Sequence, residues 1–182
     1  SKLSNSAVVF SAGLNPRLFS YVEKLPEFLP DAEGNFKKKI IIKVSDYRSA
    51  LIQGKYLAKK GIWVGEFRIE SGLNCGGHAF ATDGFLMGPI LDEFKNNRDE
   101  LNTILFDSYR NALNEKGISL NVKELSIKLT VQGGIGTFEE DQFLRKQYGI
   151  DGTGWGTPFL LVPEATTVDN DTLNLLAQSR KD

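Results

Sequence analysis

Apolar and polar positions along the chain switch repeatedly between a two-residue and a three-to-four-residue period. The first period is typical of strands and the second of helices. Strands are predicted over residues 7–12, 39–45, 64–70 and 125–132 and in the region 152–161. Helices are predicted after Asn15 and Pro16, after Asp46, from about Pro89 to Glu115, over 139–149 and over 172–179. Asn96 and Asn97 predict a break in the long third helix.

This alternation of strands and helices predicts an α/β fold with parallel strand pairing. Sequential right-handed crossovers produce either an open doubly wound sheet or a barrel. Five units do not close an eight-stranded (β/α)₈ TIM barrel, whose usual length is about 250 residues. We therefore predict a single domain over 1–182 that forms the C-terminal part, about five β/α units, of a larger barrel.

Two predicted strands carry charges on one face only. Glu66 and Glu70 share a face of the third strand, and polar residues alternate with apolar ones over 126–132. Since the apolar face must meet the helices, the polar face lies either inside a barrel or against solvent. Buried charges persist when they are paired, so we expect Lys43 and Lys128 to offset the two glutamates.

Composition excludes several classes of protein. The chain has 182 residues, 41% of them apolar, and a net charge of −1 from 22 basic and 23 acidic residues. This balance does not indicate nucleic acid or an anionic membrane as a partner. Cys75 is the only cysteine, and no apolar stretch approaches the ~20 residues of a membrane span, so we expect a cytoplasmic protein. The chain begins at Ser1 and its only methionine is Met87, which predicts a fragment.

Glycines cluster at two predicted strand ends. GGIGT (Gly133–Thr137) lies between a strand and a helix, and GTGWGTPFL (Gly152–Leu160) follows about twenty residues later. Glycine lets backbone amides approach an anion, and a helix N-terminus favours negative charge. The loops after the last two strands form the usual phosphate site of a (β/α)₈ barrel. The pair therefore predicts a phosphate cradle, the alternative being two turns that only connect elements.

A third segment carries the only histidine of the chain. GLNCGGHAF (Gly72–Phe80) follows the third predicted strand and places His78 after two glycines, where barrel active sites are built. Histidine exchanges protons near neutral pH, which favours a catalytic role. The alternatives are a metal pair with Cys75, for which no second pair of ligands is evident, and a purely structural loop histidine. A nucleophilic Cys75 would have only His78 as its base.

The order of these segments resembles a known family. Nitronate monooxygenases and FMN-dependent enoyl-acyl-carrier-protein reductases carry G-x-E-A-G-G-H-x-G after a strand, then a strand ending in GGI, then one ending in G-T-x-F-L. Here the segments read GLNCGGHAF, VQGGIGT and GTPFL. The FMN-binding barrel of glutamate synthase is similar too. The resemblance spans nearly the whole chain and implies an FMN-binding TIM barrel.

The resemblance also implies roles for individual residues. Gly76 and Gly77 would lie near the phosphate or ribityl chain of FMN, and His78 would act as a base on an acidic carbon. The flavin phosphate would be bound by the residues of the two later loops, namely Gly133, Gly134, Gly136, Gly156 and Thr157. Asn74 and Cys75 replace the family's Glu-Ala, Phe80 replaces its last glycine, and Trp155 stands where a smaller residue is common.

Together these observations predict an FMN-dependent oxidoreductase or monooxygenase that acts on a small molecule. Its remaining partner would be the missing N-terminal barrel half or, alternatively, another copy of the chain. A second hypothesis is a barrel domain that is non-catalytic or that binds another phosphate ligand, such as a phosphorylated sugar or nucleotide. The changes around Asn74 and the charged strand faces motivate this second hypothesis.

Overall fold

A computed structural model describes residues 6–72, 86–121, 123–160, 162, 164 and 167–178. Its five parallel strands pair in sequential order and form a curled sheet, as in half of a barrel. The predicted α/β class with parallel pairing is confirmed. The strands are β1 (Ser6–Phe10), β2 (Lys38–Val44), β3 (Val64–Ile69), β4 (Lys128–Gln132) and β5 (Gly152–Gly154). The helices are α1 (Pro16–Val22), α2 (Tyr47–Ala58), α3 (Met87–Glu115), α4 (Phe138–Tyr148), α5 (Thr157–Leu160) and α6 (Asn170–Gln178), with a 3₁₀ turn at Pro26–Phe28.

Side chains at the helix starts explain where two of these helices begin. The carboxylate of Asp46 accepts a hydrogen bond from the Ser49 amide at 2.6 Å, which confirms the predicted N-cap of α2. Asn15 caps α1 in the same way by accepting from the Leu18 amide. None of the helices in the described ranges is both long enough and apolar enough to cross a membrane.

The long helix α3 is continuous, so the predicted break at Asn96 and Asn97 is wrong. The Asn97 side-chain amide donates to the Glu93 carbonyl one turn earlier, at 2.8 Å. Asparagine weakens a helix by competing for backbone groups, but here its bond runs along the helix and leaves the helical path intact.

Two predicted strands are too long. The fourth begins at Lys128 rather than Leu125, because the Ile127 amide donates to the Asn102 side chain of α3 instead of to a neighbouring strand. The fifth ends at Gly154, and α5 follows where strand was predicted. Pro158 lacks an amide for strand pairing and suits the first turn of a helix.

One face of the sheet is apolar and covered by helices. Ile42, Phe67 and Leu129 lie in register on β2, β3 and β4, and each has no exposed surface. Gly54 of α2 permits close packing, because a Cβ atom there would lie 2.9 Å from Leu105 Cδ1 and 2.9 Å from Phe67 Cζ. The contact of α2 with α3 and the sheet therefore requires the absence of a side chain at this position.

A β-bulge at Gly65 changes the alternation at the start of β3. Ile40 pairs with Val64 and Ile41 pairs with Glu66, so Gly65 is an extra residue without a partner position on β2. Val64 is therefore buried on the same face as the core, although an odd number of steps separates it from Phe67. From Glu66 onward the alternation is regular, and the charged side chains of β3 lie on one face, as the sequence pattern predicted.

Arg98 joins α3 to the last part of the sheet. Its guanidinium donates to the Gly149 carbonyl at 2.8 Å and to the Asp151 carboxylate at 2.7 Å. The same carboxylate accepts from the Leu129 amide of β4 at 2.7 Å. This set of bonds fixes the start of β5 beside β4.

Substituting Gly54→Ala is expected to lower the free energy of unfolding by about 1–3 kcal/mol, since the new methyl group overpacks a filled core. Gly88→Ala is the matched control: its Cβ would meet only the Tyr148 hydroxyl, at 3.5 Å. Replacing a helical glycine without a clash leaves stability unchanged or raises it by up to about 1 kcal/mol. Urea unfolding measures both, and a Gly54→Ala protein as stable as the wild type would contradict the close packing.

Candidate functional site

The carboxyl ends of β3, β4 and β5 lie side by side at one edge of the sheet, because parallel neighbours end on the same side. GLNCGGHAF and GGIGT begin soon after β3 and β4, whereas GTGWGTPFL contains β5 and continues past its end. The residues that follow the three strand ends are therefore neighbours in space. Gly76, Gly77 and His78, together with Cys75, lie outside the described residues, which stop at Gly72 and resume at Leu86.

Directly below this edge, a polar network joins three strands on the face opposite the core. Glu70 is only 8% exposed, and its carboxylate lies 2.9 Å from the Lys43 ammonium. Its other oxygen accepts from the Gln132 side-chain amide at 2.5 Å. Lys43 therefore offsets one of the two glutamates, as the sequence predicted. Both oxygens have partners, which compensates the cost of burying this carboxylate.

Arg68, and not Lys128 as expected, is the cation that offsets the second glutamate, Glu66. Its carboxylate is bound by the Arg68 guanidinium at 2.7 Å and accepts from the Thr130 hydroxyl at 2.7 Å. Arg68 lies two residues along the same strand and therefore on the same face. Lys128 pairs in register with Glu66, but its side chain is exposed.

The loop after β4 requires glycine at two consecutive positions. Gly133 and Gly134 have φ values of 92° and 70°, a left-handed conformation that other residues adopt at a cost. The Gly133 amide donates to the Gly154 carbonyl at 3.3 Å and is buried, whereas Gly134 is exposed. Of these two predicted phosphate ligands, Gly134 thus presents its backbone to the solvent at the edge.

A carboxylate of the chain itself already occupies part of the predicted cradle. The Gly136 and Thr137 amides donate to one oxygen of Glu140 at 2.7 and 2.9 Å. The Glu140 amide donates in return to the Thr137 hydroxyl, which completes a capping box at the start of α4. Gly136 therefore binds an internal anion in this structure. The spacing of Thr137 and Glu140 is the sequence signal for this box, and sequence reasoning missed it.

The glycines of β5 allow close contact with β4. A Cβ atom on Gly154 would lie 2.9 Å from the Cβ of Gln132, and one on Gly152 would lie 3.3 Å from Thr130. These glycines thus make room for the polar side chains that bind Glu66 and Glu70. Gly156 is half-buried beyond the strand end, and Thr157 begins α5.

Trp155 does not project onto the polar face. Its indole N–H donates to the Thr153 hydroxyl at 3.1 Å, and that hydroxyl donates to the Asp141 carboxylate of α4 at 2.5 Å. Both side chains therefore lie on the helix-covered side of β5. Hydrogen bonds from the Arg145 guanidinium and then from Thr153 hold the pKa of the Asp141 carboxyl below its usual range.

Because its folded-state pKa is depressed, Asp141 stabilises the fold above the unfolded-state pKa of about 4 and loses this effect as pH falls through the lower folded value. The melting temperature of Asp141→Asn should lie below that of the wild type near neutral pH, and the gap should close below about pH 4. Asp107→Asn, which removes an exposed ion pair with Arg110, is the control and should change little. A gap for Asp141→Asn that stays constant down to low pH would contradict this role.

Comparison with known proteins provides no relative. No family model matches this chain, and neither a curated protein nor a solved structure matches it. The FMN-barrel resemblance therefore depends on the sequence motifs and on the positions that the fold assigns to them.

Proposed function

We propose that this chain is the FMN-binding part of a (β/α)₈-type oxidoreductase, with the flavin phosphate bound at the carboxyl edge of β3, β4 and β5. The observation that carries the proposal is the adjacency of three segments. The glycine motifs occur in the order of the flavin barrels, and parallel pairing in sequential order brings the residues after the three strand ends to one edge. Ligands of barrel enzymes bind at this edge.

The backbone at this edge fits a phosphate in part. The amides of Gly134 and Gly156 have no acceptor within the described part of the chain, and both residues are at least partly accessible. Gly133 contributes the left-handed turn that exposes Gly134, and the resemblance adds Thr157. The Gly136 amide becomes available to a phosphate only when the Glu140 carboxylate no longer accepts its hydrogen bond. A phosphate therefore competes with Glu140 for one of its proposed ligands.

The polar network below the edge would form a fixed floor for the bound cofactor. Lys43, Glu70 and Gln132 are held by bonds between three adjacent strands, so their positions are set before any ligand arrives. FMN supplies the redox chemistry when bound. His78, in the segment that begins beside Glu70, would transfer the proton to or from the substrate carbon.

One prediction of this proposal concerns the binding of FMN. The full-length protein is expected to show the visible absorption band of an oxidised flavin, or to gain it on incubation with FMN. Gly134→Val should weaken FMN binding by at least about tenfold, because the side chain strains the loop and covers the amide. Glu140→Gln should tighten FMN binding, because removing its charge favours the phosphate in the competition for the Gly136 amide.

Gly117→Val is the matched control for backbone strain. Gly117 also has a left-handed φ, of 71°, with nothing within 4 Å of its Cβ position, but it lies at the end of α3. It should lower stability without changing FMN affinity. A full-length protein that stays colourless after incubation with FMN would exclude the flavin site.

Another prediction of this proposal concerns catalysis by His78. His78→Ala should lower turnover by about 10²–10⁴-fold, the usual contribution of a general acid or base. The flavin spectrum should remain unchanged, because the proposed phosphate ligands do not include the His78 side chain. Cys75→Ala tests the neighbouring thiol and should retain turnover. Unchanged turnover in His78→Ala would exclude the proton-transfer role while leaving the binding site in place.

The bond from Glu140 favours a second candidate function. The Glu140 carboxylate already binds amides of the predicted phosphate cradle, so these amides stabilise the fold without any ligand. This is expected of a non-catalytic barrel domain. An exchangeable carboxylate also suits a phosphate ligand other than FMN, such as a phosphorylated sugar. Competition titrations of FMN with sugar phosphates and nucleotides distinguish these cases: tighter binding of either competitor would replace FMN in the proposal.

A further inference from the structure

The opposite edge of the sheet, where the strands begin, contains a separate cavity of about 410 Å³. This volume is in the range of small-molecule sites. Residues from the amino ends of four strands and from three connections line it, and those used below are Ala7, Phe36, Lys39, Ile41, Trp63 and Lys128. None of these residues belongs to the proposed flavin site.

The walls of this amino-end cavity are largely apolar and aromatic. Phe36 and Ile41 line it, Ile41 on the face opposite the core, and Trp63 borders it at 6% exposure with its ring packed on the core residues Phe106 and Tyr109. Gly65, the bulge residue, forms the floor of the cavity without a side chain, and the Ile40 carbonyl, at 3.8 Å, is the only atom of the described residues near its Cβ position. These surfaces suit a flat apolar group.

The rim of the cavity is held in shape without a ligand. The Asp31 carboxylate accepts from the Glu33 and Asn35 amides at 3.1 and 2.7 Å, which fixes the turn before Phe36. The Asn121 amide donates to the Ala32 carbonyl at 3.1 Å and so ties this turn to the connection after α3. A preformed site loses less conformational entropy on binding than one that must order itself.

The charges at the cavity are arranged for an anion. Lys39 and Lys128 line it, both are exposed, and neither has a carboxylate within ion-pair distance among the described residues. By contrast, Lys43 on the same sheet face is paired with Glu70. Glu66 is the acidic residue of the lining, and Arg68 already neutralises it. The net charge facing the cavity is therefore positive.

We propose that the amino-end cavity binds a small amphipathic anion: a flat apolar body packs between Phe36, Ile41 and Trp63, and an acidic group lies between Lys39 and Lys128. This site is independent of the proposed flavin site, because the two open at opposite ends of the strands. One ligand could not occupy both.

The experiment uses the 182-residue chain with Trp155→Phe, in which Trp63 is the one remaining tryptophan. The probe is 8-anilino-1-naphthalenesulfonate, a flat aromatic sulfonate. Titration should quench Trp63 emission by energy transfer as the probe's own emission rises. Adding Lys39→Glu with Lys128→Glu should weaken binding by at least about tenfold through loss of charge attraction. Ala7→Phe should reduce binding similarly by filling the cavity.

Lys55→Glu with Lys146→Glu is the matched control, because both lysines are exposed elsewhere and the net charge changes equally. It should bind the probe within about twofold of the parent. Circular dichroism shows whether each variant folds, and Ala7→Phe provides the test if the lysine pair variant does not. Probe binding without quenching of Trp63, or equal binding by the two charge variants, would overturn the proposal, as would unaffected binding by a folded Ala7→Phe protein.

Discussion

The fold depends on covering one face of a parallel sheet with helices. Ile42, Phe67 and Leu129 form a buried row across β2, β3 and β4, and helices α2 and α3 pack over the sheet. Neighbouring strands cannot slide to improve one face without changing the other, because side chains alternate strictly. The register that aligns this apolar row therefore also places Lys43 beside Arg68 on the opposite face. The positions of the charges are a consequence of core packing.

This coupling explains why the polar face can bury a carboxylate so near the strand ends. Glu70 has partners on both neighbouring strands, and the glycines of β5 leave room for the β4 side chains that contribute to the network. The hydrogen bonds and the ion pair of this network thus fix the side chains below the carboxyl edge. At the same edge, α4 satisfies its own first amides with Glu140. The amides that stabilise the start of α4 are therefore the same amides that an external anion would need.

Much of this could be predicted from local sequence. Alternation identified β2 and β3 almost to the residue, and Asp46 marked the start of α2. The differences arise where distant groups determine the backbone. The Ile127 amide is taken by Asn102, 25 positions earlier in the chain, which no local pattern reveals. Glu66 pairs with Arg68 of its own strand, although Lys128 is its register partner on β4, and the sequence pattern does not show this choice. The candidate edge followed from strand order, whereas the cavity at the other edge depends on a bulge and on a contact between two connections.

The bulge at Gly65 has a consequence for how the chain can vary. If this residue were absent, Val64 and Glu66 would become neighbours and the regular inside–outside alternation of β3 would be intact, with Val64 and Phe67 still facing the core. The core therefore places no demand on the extra residue, and a shorter β3 would serve it equally well. A β3 with Gly65 and a β3 without it would differ in the floor of the amino-end cavity, which Gly65 leaves open. Selection that retains residue 65 in related chains would act on that floor and not on the stability of the sheet.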